Sequence, residues 1–258
     1  MFISETWLII YISCVLFMFG AVFGSFINCV AGRIVAGKDW IRGRSYCGSC
    51  GHELSALDLV PILSYIFLGG KCRYCHTHIS ARYMLTELLL GTLFVWRFLV
   101  FKTVDFLMFR DLILFVLLLG LSLVDLDSYI IPDGFIVAGI INWLISIIFV
   151  ENKLSYFIKG ITGGLFIGGG ILVLSLIMDK ILGKESLGGG DVKLLFMVCL
   201  YTGPYIGLFL LFLSCVIGLL FVLLLKKGKI PFGPSISMAA FVAALYGEVI
   251  LRWYLSLF

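Results

Sequence analysis

Two kinds of side chain stand out in a chain otherwise made for an apolar solvent: aspartates beside long hydrophobic runs, and cysteines in two close pairs. The aspartates fall in two segments, Val124-Asp125-Leu126-Asp127-Ser128-Tyr129-Ile130-Ile131-Pro132-Asp133 and Leu187-Gly188-Gly189-Gly190-Asp191-Val192-Lys193. Ionisable groups at such places are costly to hold and mark function by default. Two carboxyl groups brought together cannot both ionise cheaply, so they share a proton. The ionised one then draws a proton from water while the protonated one polarises a carbonyl, which is peptide hydrolysis without a metal or a covalent intermediate. The glycines before Asp191 would let the backbone turn tightly and let a substrate strand approach. Asp125 and Asp127 are alternatives for the other carboxylate, because on a helix they diverge by about 200°. Asp133 and Asp179 read as carboxylates at helix starts, favoured by the N-terminal dipole.

Cys47-Gly-Ser-Cys50 and Cys72-Arg-Tyr-Cys75 form two CxxC pairs with 21 residues between them. Each turn aims two sulfurs at one ion, and two turns complete a zinc tetrahedron. Such a site is closed, so it is structural rather than catalytic. His52, His76 and His78 lie close by and read as solvated loop histidines, with replacement of one cysteine ligand as the alternative. A nucleic-acid-binding zinc ribbon is the rival reading. The basic residues Arg33, Lys38, Arg42, Arg44, Lys71, Arg73 and Arg82 around the cluster, against Asp39, Glu53 and Asp58, read more simply as juxtamembrane positive charge, with no nucleic-acid partner. Cys14, Cys29, Cys199 and Cys215 sit in apolar runs and read as small buried hydrophobes.

The elements that position these groups follow from composition. Of the 258 residues, 62% are hydrophobic and 13% charged, with a net charge of +4. A soluble domain carries about 25% charged residues, so a bilayer is the natural solvent. Apolar runs at 7–30, 83–100, 107–124, 134–150, 156–178, 192–203, 205–225 and 235–256 predict about eight spans of helix, with a turn at Gly203-Pro204 separating the sixth from the seventh. No Lys or Arg precedes Arg33, so the first run reads as an uncleaved span with its N-terminus outside. Lys180, Lys184, Lys193, Lys226, Lys227 and Lys229 join the basic cluster on one side. Arg97, Lys102, Arg110, Lys153, Lys159 and Arg252 fall on the other, a bias that puts the cysteine segment and both aspartate groups at the cytoplasmic face. Glycines at 163, 164 and 168–170 read as sites of close helix packing. The expected fold is therefore an all-α polytopic membrane protein of about eight transmembrane helices. It divides into a first helix (1–30), a cytoplasmic zinc-ribbon-like segment (31–82) and a seven-helix peptidase part (83–258).

At these residues the chain resembles the type IV prepilin peptidase family along nearly its whole length. Gly24-Ser25-Phe26-Ile27-Asn28 is similar to that family's first-span signature. Cys47, Cys50, Asp58-Leu59-Val60-Pro61, Leu63-Ser64-Tyr65, Gly70-Lys71-Cys72-Arg73-Tyr74-Cys75, Ile79-Ser80, Arg82-Tyr83 and Glu87-Leu88 resemble its cytoplasmic domain. Asp125 with Ile131-Pro132-Asp133, and the GxGD sequence Gly188-Gly189-Gly190-Asp191, resemble its peptidase part. The resemblance implies Asp125 and Asp191 as the catalytic aspartates, with Gly188 and Gly190 supporting them. It implies Cys47, Cys50, Cys72 and Cys75 as structural zinc ligands. It implies removal of the leader of type IV prepilin or pseudopilin precursors after a Gly, at the cytoplasmic face of a bacterial inner membrane. Many members then methylate the new N-terminus with S-adenosylmethionine, an activity carried here by 31–82. Gly48 and His76 stand where many members have Pro after a CxxC cysteine, and no Gly-rich nucleotide loop places the methyl donor. A peptidase alone, and a zinc-braced adaptor or transporter, are the other readings.

Overall fold

The structure, a computed structural model, describes residues 5–39, 43–184, 187–225 and 230–257. Arg42, Lys226, Lys227 and Lys229, which enter the charge reading, lie outside the described residues. The helices are α1 (Thr6–Val35), α2 (Leu63–Phe67), α3 (Arg82–Phe101), α4 (Phe106–Ser128), α5 (Asp133–Ser146), α6 (Lys153–Gly163), α7 (Gly170–Leu182), α8 (Gly189–Leu225) and α9 (Gly233–Leu255). Among the described residues, six helices are long and apolar enough to span a bilayer: α1, α3, α4, the continuous run Lys153–Leu182, α8 and α9. Two differences account for the count. The run expected at 134–150 forms the shorter apolar helix Asp133–Phe149. The sixth and seventh expected spans are joined in α8. At about 1.5 Å per residue, its 37 residues would reach about 55 Å, against a hydrocarbon core of roughly 30 Å. The break falls at Gly203, whose backbone (φ 75°, ψ −177°) leaves the helix just before Pro204. The turn read at Gly203-Pro204 is thus present as a kink at which two helices meet end to end.

Outward faces remain apolar. Leu172, Val173 and Leu176 on α7 and Leu219, Leu220 and Leu223 on α8 are all exposed, as a lipid solvent requires. The same logic corrects the reading of the scattered cysteines. Cys199 is buried and Cys29 half-buried, but Cys14 and Cys215 lie exposed on helix surfaces.

The chain forms two compact units, Met1–Met108 and Phe109–Phe258. In the first, α1 crosses α3 at contact distance because the crossing residues lack side chains. A Cβ on Gly20 would lie 2.7 Å from Gly91 Cα, and one on Gly24 would lie 2.8 Å from Glu87 Cα. This is the small-residue route to close helix packing. Asn28, one turn further along the same stripe, donates to Gly24 O at 3.2 Å and to Thr86 Oγ1.

In the second unit, α6 and its continuation pack on α8 in the same manner. A Cβ on Gly163 would meet Cys199 O at 2.5 Å, and one on Gly168 would meet Phe196 Cβ at 2.7 Å. Gly169 and Gly170 face open space, so three of the five glycines fulfil the packing expectation. The stretch Gly164–Gly169 is π-helical. A buried polar network joins α4, α5, α6 and α8. Arg110 pairs with Asp111 at 2.5 Å and donates to Tyr156 Oη at 2.7 Å. Asn142 donates to Arg110 O at 2.9 Å and to Tyr201 Oη at 3.0 Å, and Tyr201 donates to Gly139 O at 2.6 Å. Asp111 is about 21 Å along α4 from Asp125 by helix rise, so this network braces the far end of the helix.

Candidate active site and metal centre

Asp125 sits in the last turn of α4 and is 4% exposed. Its Oδ2 accepts the backbone N–H of Gly233 at 2.9 Å. Gly233 opens α9, so the carboxylate is held by a helix N-terminus, where free N–H groups and the dipole favour an anion. A Cβ on Gly233 would stand 2.5 Å from that same oxygen, which leaves room only for glycine. Asp127, two residues on, is exposed. The two candidates therefore differ as the helix predicted: one turns inward, the other outward.

After α4 the chain turns at Tyr129, in the left-handed region at φ 57°, and its N–H closes on Asp125 O at 2.8 Å. The turn sends Ile131 back over the start of α8. A Cβ on Gly190 would lie 3.0 Å from Ile131 Cβ, and Ile131 Cδ1 lies 3.4 Å from where a Cβ on Gly233 would be. Asp191 stands in the first turn of α8, with its N–H donating to Gly188 O at 3.0 Å. It lies within electrostatic reach of Asp125. Ile131 thus bridges the backbone on which Asp191 sits and the backbone that grips Asp125.

The chain turns at these glycines, with the Asp191 N–H closing on Gly188 O. None of Gly188, Gly189 and Gly190 has a left-handed backbone. They also provide clearance. Gly190 faces Ile131, a Cβ on Gly188 would come 3.3 Å from Asp191 Oδ2, and Gly189 faces open space. Asp133 begins α5, as expected, and pairs with Lys193 at 2.8 Å on the surface. Asp179 departs from the helix-start reading, since it lies in the last turn of α7. Gly233 was missed by the sequence reading. Its only sequence signal is the punctuation Pro231-Phe232-Gly233-Pro234 before the last apolar run.

The four paired cysteines bring their sulfurs within 4.8 Å of one another, with Cys47 and Cys75 Sγ 3.8 Å apart. Zinc–sulfur bonds of about 2.3 Å in a tetrahedron put sulfurs about 3.8 Å apart, so the set can hold a metal ion. Two equivalent hairpins build it. Tyr46 bridges to Glu53 and Lys71 to His78. Cys47 N donates to His52 O, and Cys72 N to Thr77 O, each at 2.9 Å. Each hairpin needs a left-handed residue after its second cysteine: Gly51 at φ 72° and His76 at φ 56°. Two of the thiols, Cys47 and Cys75, are biased towards the thiolate. Thr77 and its backbone N–H bring Cys75 down to about 6, and the Cys50 and Ser49 backbone N–H groups lower Cys47. The His52 N–H pulls Cys50 down as well, but burial and the neighbouring sulfurs outweigh it and push that thiol up to about 11. No histidine joins the described metal-ligating group. His52 instead lies against Tyr74 with ring centroids 3.7 Å apart.

Asp58 ties this module to the loop behind it. It accepts from Ser55 Oγ at 2.7 Å, Arg73 Nε at 2.6 Å and Tyr74 Oη at 3.2 Å. Burial alone would raise its pKa, but the Ser55 and Arg73 hydrogen bonds prevail and bring the carboxyl to about 2.

Residues 18–101 match the model of the bacterial peptidase A24 N-terminal domain, and residues 112–223 match that of the type IV leader peptidase family. Among curated proteins, a prepilin leader peptidase/N-methyltransferase of Aeromonas salmonicida (strain A449) is 32% identical over 284 residues, covering 96% of this chain and 94% of that protein. A protein of the same description from Dichelobacter nodosus is 31% identical over 80% of this chain and 72% of its own length. One from Bacillus subtilis (strain 168) is 29% identical over 94% and 98%. No solved structure matches.

Proposed function

The chain belongs to the type IV leader peptidase family, and from that premise we propose that Asp125 and Asp191 form the aspartic dyad that removes the leader of prepilin-like precursors. It is a multi-span membrane enzyme. The observation that supports the reading is that two carboxylates on separate helices lie within electrostatic reach of one another, Asp125 gripped by the Gly233 N–H and Asp191 in the first turn of α8, with Ile131 set against both Gly190 and Gly233. One carboxyl group takes a proton from water and the other donates to the scissile carbonyl, so charge never builds on an unsupported oxygen. The glycine clearance at the start of α8 leaves room for an extended substrate backbone. Cleavage follows a Gly of the precursor at the cytoplasmic face, the side favoured by the distribution of Lys and Arg in the sequence. The partners are type IV prepilins or pseudopilins. The new N-terminus is then methylated, the activity named in the relatives' descriptions. S-adenosylmethionine supplies the methyl group. Zinc in the cysteine cluster serves as a structural brace.

The test is incubation of the purified protein in detergent with a synthetic prepilin, followed by mass spectrometry with and without S-adenosylmethionine. The proposal expects loss of a leader-sized mass ending in Gly, and then a gain of one methyl mass. Intact precursor after incubation with folded wild-type protein would sink the peptidase reading. Cleavage without methylation would leave a peptidase alone.

A further inference from the structure

A peptidase that cuts after glycine must exclude a Cβ from the residue before the scissile bond. We propose that Ile131 performs this exclusion, as a fixed side chain set over the two aspartates that makes it the specificity-determining residue of the cut; the proposal rests on the reading of Asp125 and Asp191 as the cleaving pair.

Glycines stand against both carboxylates. A Cβ on Gly233 would lie 2.5 Å from Asp125 Oδ2, and one on Gly188 would lie 3.3 Å from Asp191 Oδ2. Ile131 is the bulky side chain set among them. Its Cβ lies 3.0 Å and its Cγ1 3.5 Å from where a Cβ on Gly190 would be, and its Cδ1 lies 3.4 Å from where one on Gly233 would be. The side chain thus reaches from the residue before Asp191 to the residue whose N–H holds Asp125. A single methyl group placed on Gly233 would touch both the tip of Ile131 and the Asp125 carboxylate. A scissile carbonyl within hydrogen-bond reach of the two carboxyl groups, about 2.6–3.2 Å, therefore lies under Ile131. The glycine floor admits the substrate backbone. Under the Ile131 roof a hydrogen on the adjoining Cα fits, and a methyl group does not.

Exclusion needs a side chain that cannot move aside, and the chain restrains Ile131 from both directions. Before it, Tyr129 takes the left-handed region at φ 57° and returns its N–H to Asp125 O at 2.8 Å. Such a conformation is uncommon away from glycine and is the kind of strain that gathers at active sites. The turn to Ile131 is therefore anchored on the residue whose carboxylate it covers. After it, Pro132 confines Ile131 to extended backbone. The Pro132 carbonyl then accepts the Phe135 N–H at 3.2 Å as α5 begins, and Asp133 adds a surface tie to Lys193, two residues past Asp191. The side chain itself is stiff, because branching at Cβ restricts χ1. A leucine or methionine at this position would have more freedom to swing away from a substrate methyl group.

The experiment is a competition in one tube. Full-length protein in detergent receives equal amounts of two synthetic prepilins, identical except for glycine or alanine just before the cut. Mass spectrometry reads the ratio of their cleaved products at low conversion. That ratio reports the two kcat/KM values against each other, and a smaller folded fraction lowers both products alike. Wild type should favour the glycine precursor by at least about tenfold. Ile131→Ala should narrow that preference by about tenfold or more, the scale of one methyl group in a tight pocket, and should still cut the glycine precursor. Ile131→Val, which removes only Cδ1, should fall between. Ile130→Ala, a neighbour that is 64% exposed, should keep the wild-type ratio. Three results would overturn the role of Ile131 and leave the peptidase reading intact: a wild type indifferent between the two precursors, an unchanged ratio in Ile131→Ala and Ile131→Val, or loss of glycine-precursor cleavage in both of those variants. Failure of folded wild type to cut either precursor would overturn the peptidase reading itself, and the inference with it.

Discussion

At Gly190 an added methyl group would press on Ile131, at Gly233 it would strike the Asp125 carboxylate, and at Gly189 it would meet nothing. Three neighbouring glycines of the active region are thus predicted to behave differently. Gly189→Ala should cleave within about twofold of wild type, while Gly190→Ala and Gly233→Ala should lose about a hundredfold, the order seen when reacting groups shift by about 1 Å. Cleavage rates of the three variants on one prepilin check this. Asp58 offers a second test at the same scale. Its ordinary pKa is 3.8 and its folded value about 2. A lowered carboxylate contributes stability that is full above its unfolded pKa and is lost as pH falls through the folded one. Proteolytic resistance of segment 43–82 should therefore owe nothing pH-dependent to Asp58 between pH 5 and 8, and should lose the Asp58 contribution as pH drops from about 4 towards 2. The Asp58→Asn variant should show lower resistance at neutral pH and a flatter acid limb. The aspartates and cysteines were legible in the sequence because membrane burial and metal ligation restrict residue type. Gly233 was not, since the Asp125 it binds lies 108 positions away and only tertiary packing brings them together.

Among the elements, α4 carries Asp125 at one end and the Arg110–Asp111 pair at the other. That pair is buried, with side-chain exposures of 14% and 3%, and it is tied into α5, α6 and α8 through Tyr156, Asn142 and Tyr201. Removing one partner of a buried pair leaves an uncompensated charge and costs about 3–5 kcal/mol. Asp111→Ala should accordingly lower the melting temperature of the protein in detergent far more than Asp127→Ala, which alters an exposed residue. Equal melting temperatures would contradict the bracing role. Apolar length predicted where helices run, and Gly203-Pro204 was read as a break. The structure has that break at Gly203, but the packing that reserves the position for glycine, the Lys159 side chain 2.7 Å from where a Cβ would stand, comes from a helix distant in sequence and was not legible. It also missed Gly20, Gly24 and Gly91 as the α1–α3 crossing, which only the paired helix makes visible.

For the molecule as a whole, the two matched family models fall on the two compact units. The polar module of the first unit carries the four cysteines and, among the described residues, has short hairpins, a 3-10 turn at Ala56–Leu59 and a five-residue helix. Structural metal contributes folding free energy directly. Treatment with a strong chelator should open 43–82 to protease while the spans stay protected, and added zinc should restore resistance. Unchanged digestion after verified metal loss would count against the brace. The dyad in the second unit is best tested by single-turnover cleavage of a synthetic prepilin by wild type, Asp125→Asn, Asp127→Asn and Asp191→Asn, each matched for melting temperature. Asp125→Asn and Asp191→Asn should each lose about 10²–10⁴-fold in rate, the usual range for a removed acid–base group, and Asp127→Asn should keep its rate within a few-fold. Near-wild-type cleavage by Asp125→Asn or Asp191→Asn, or a loss confined to Asp127→Asn, would contradict it.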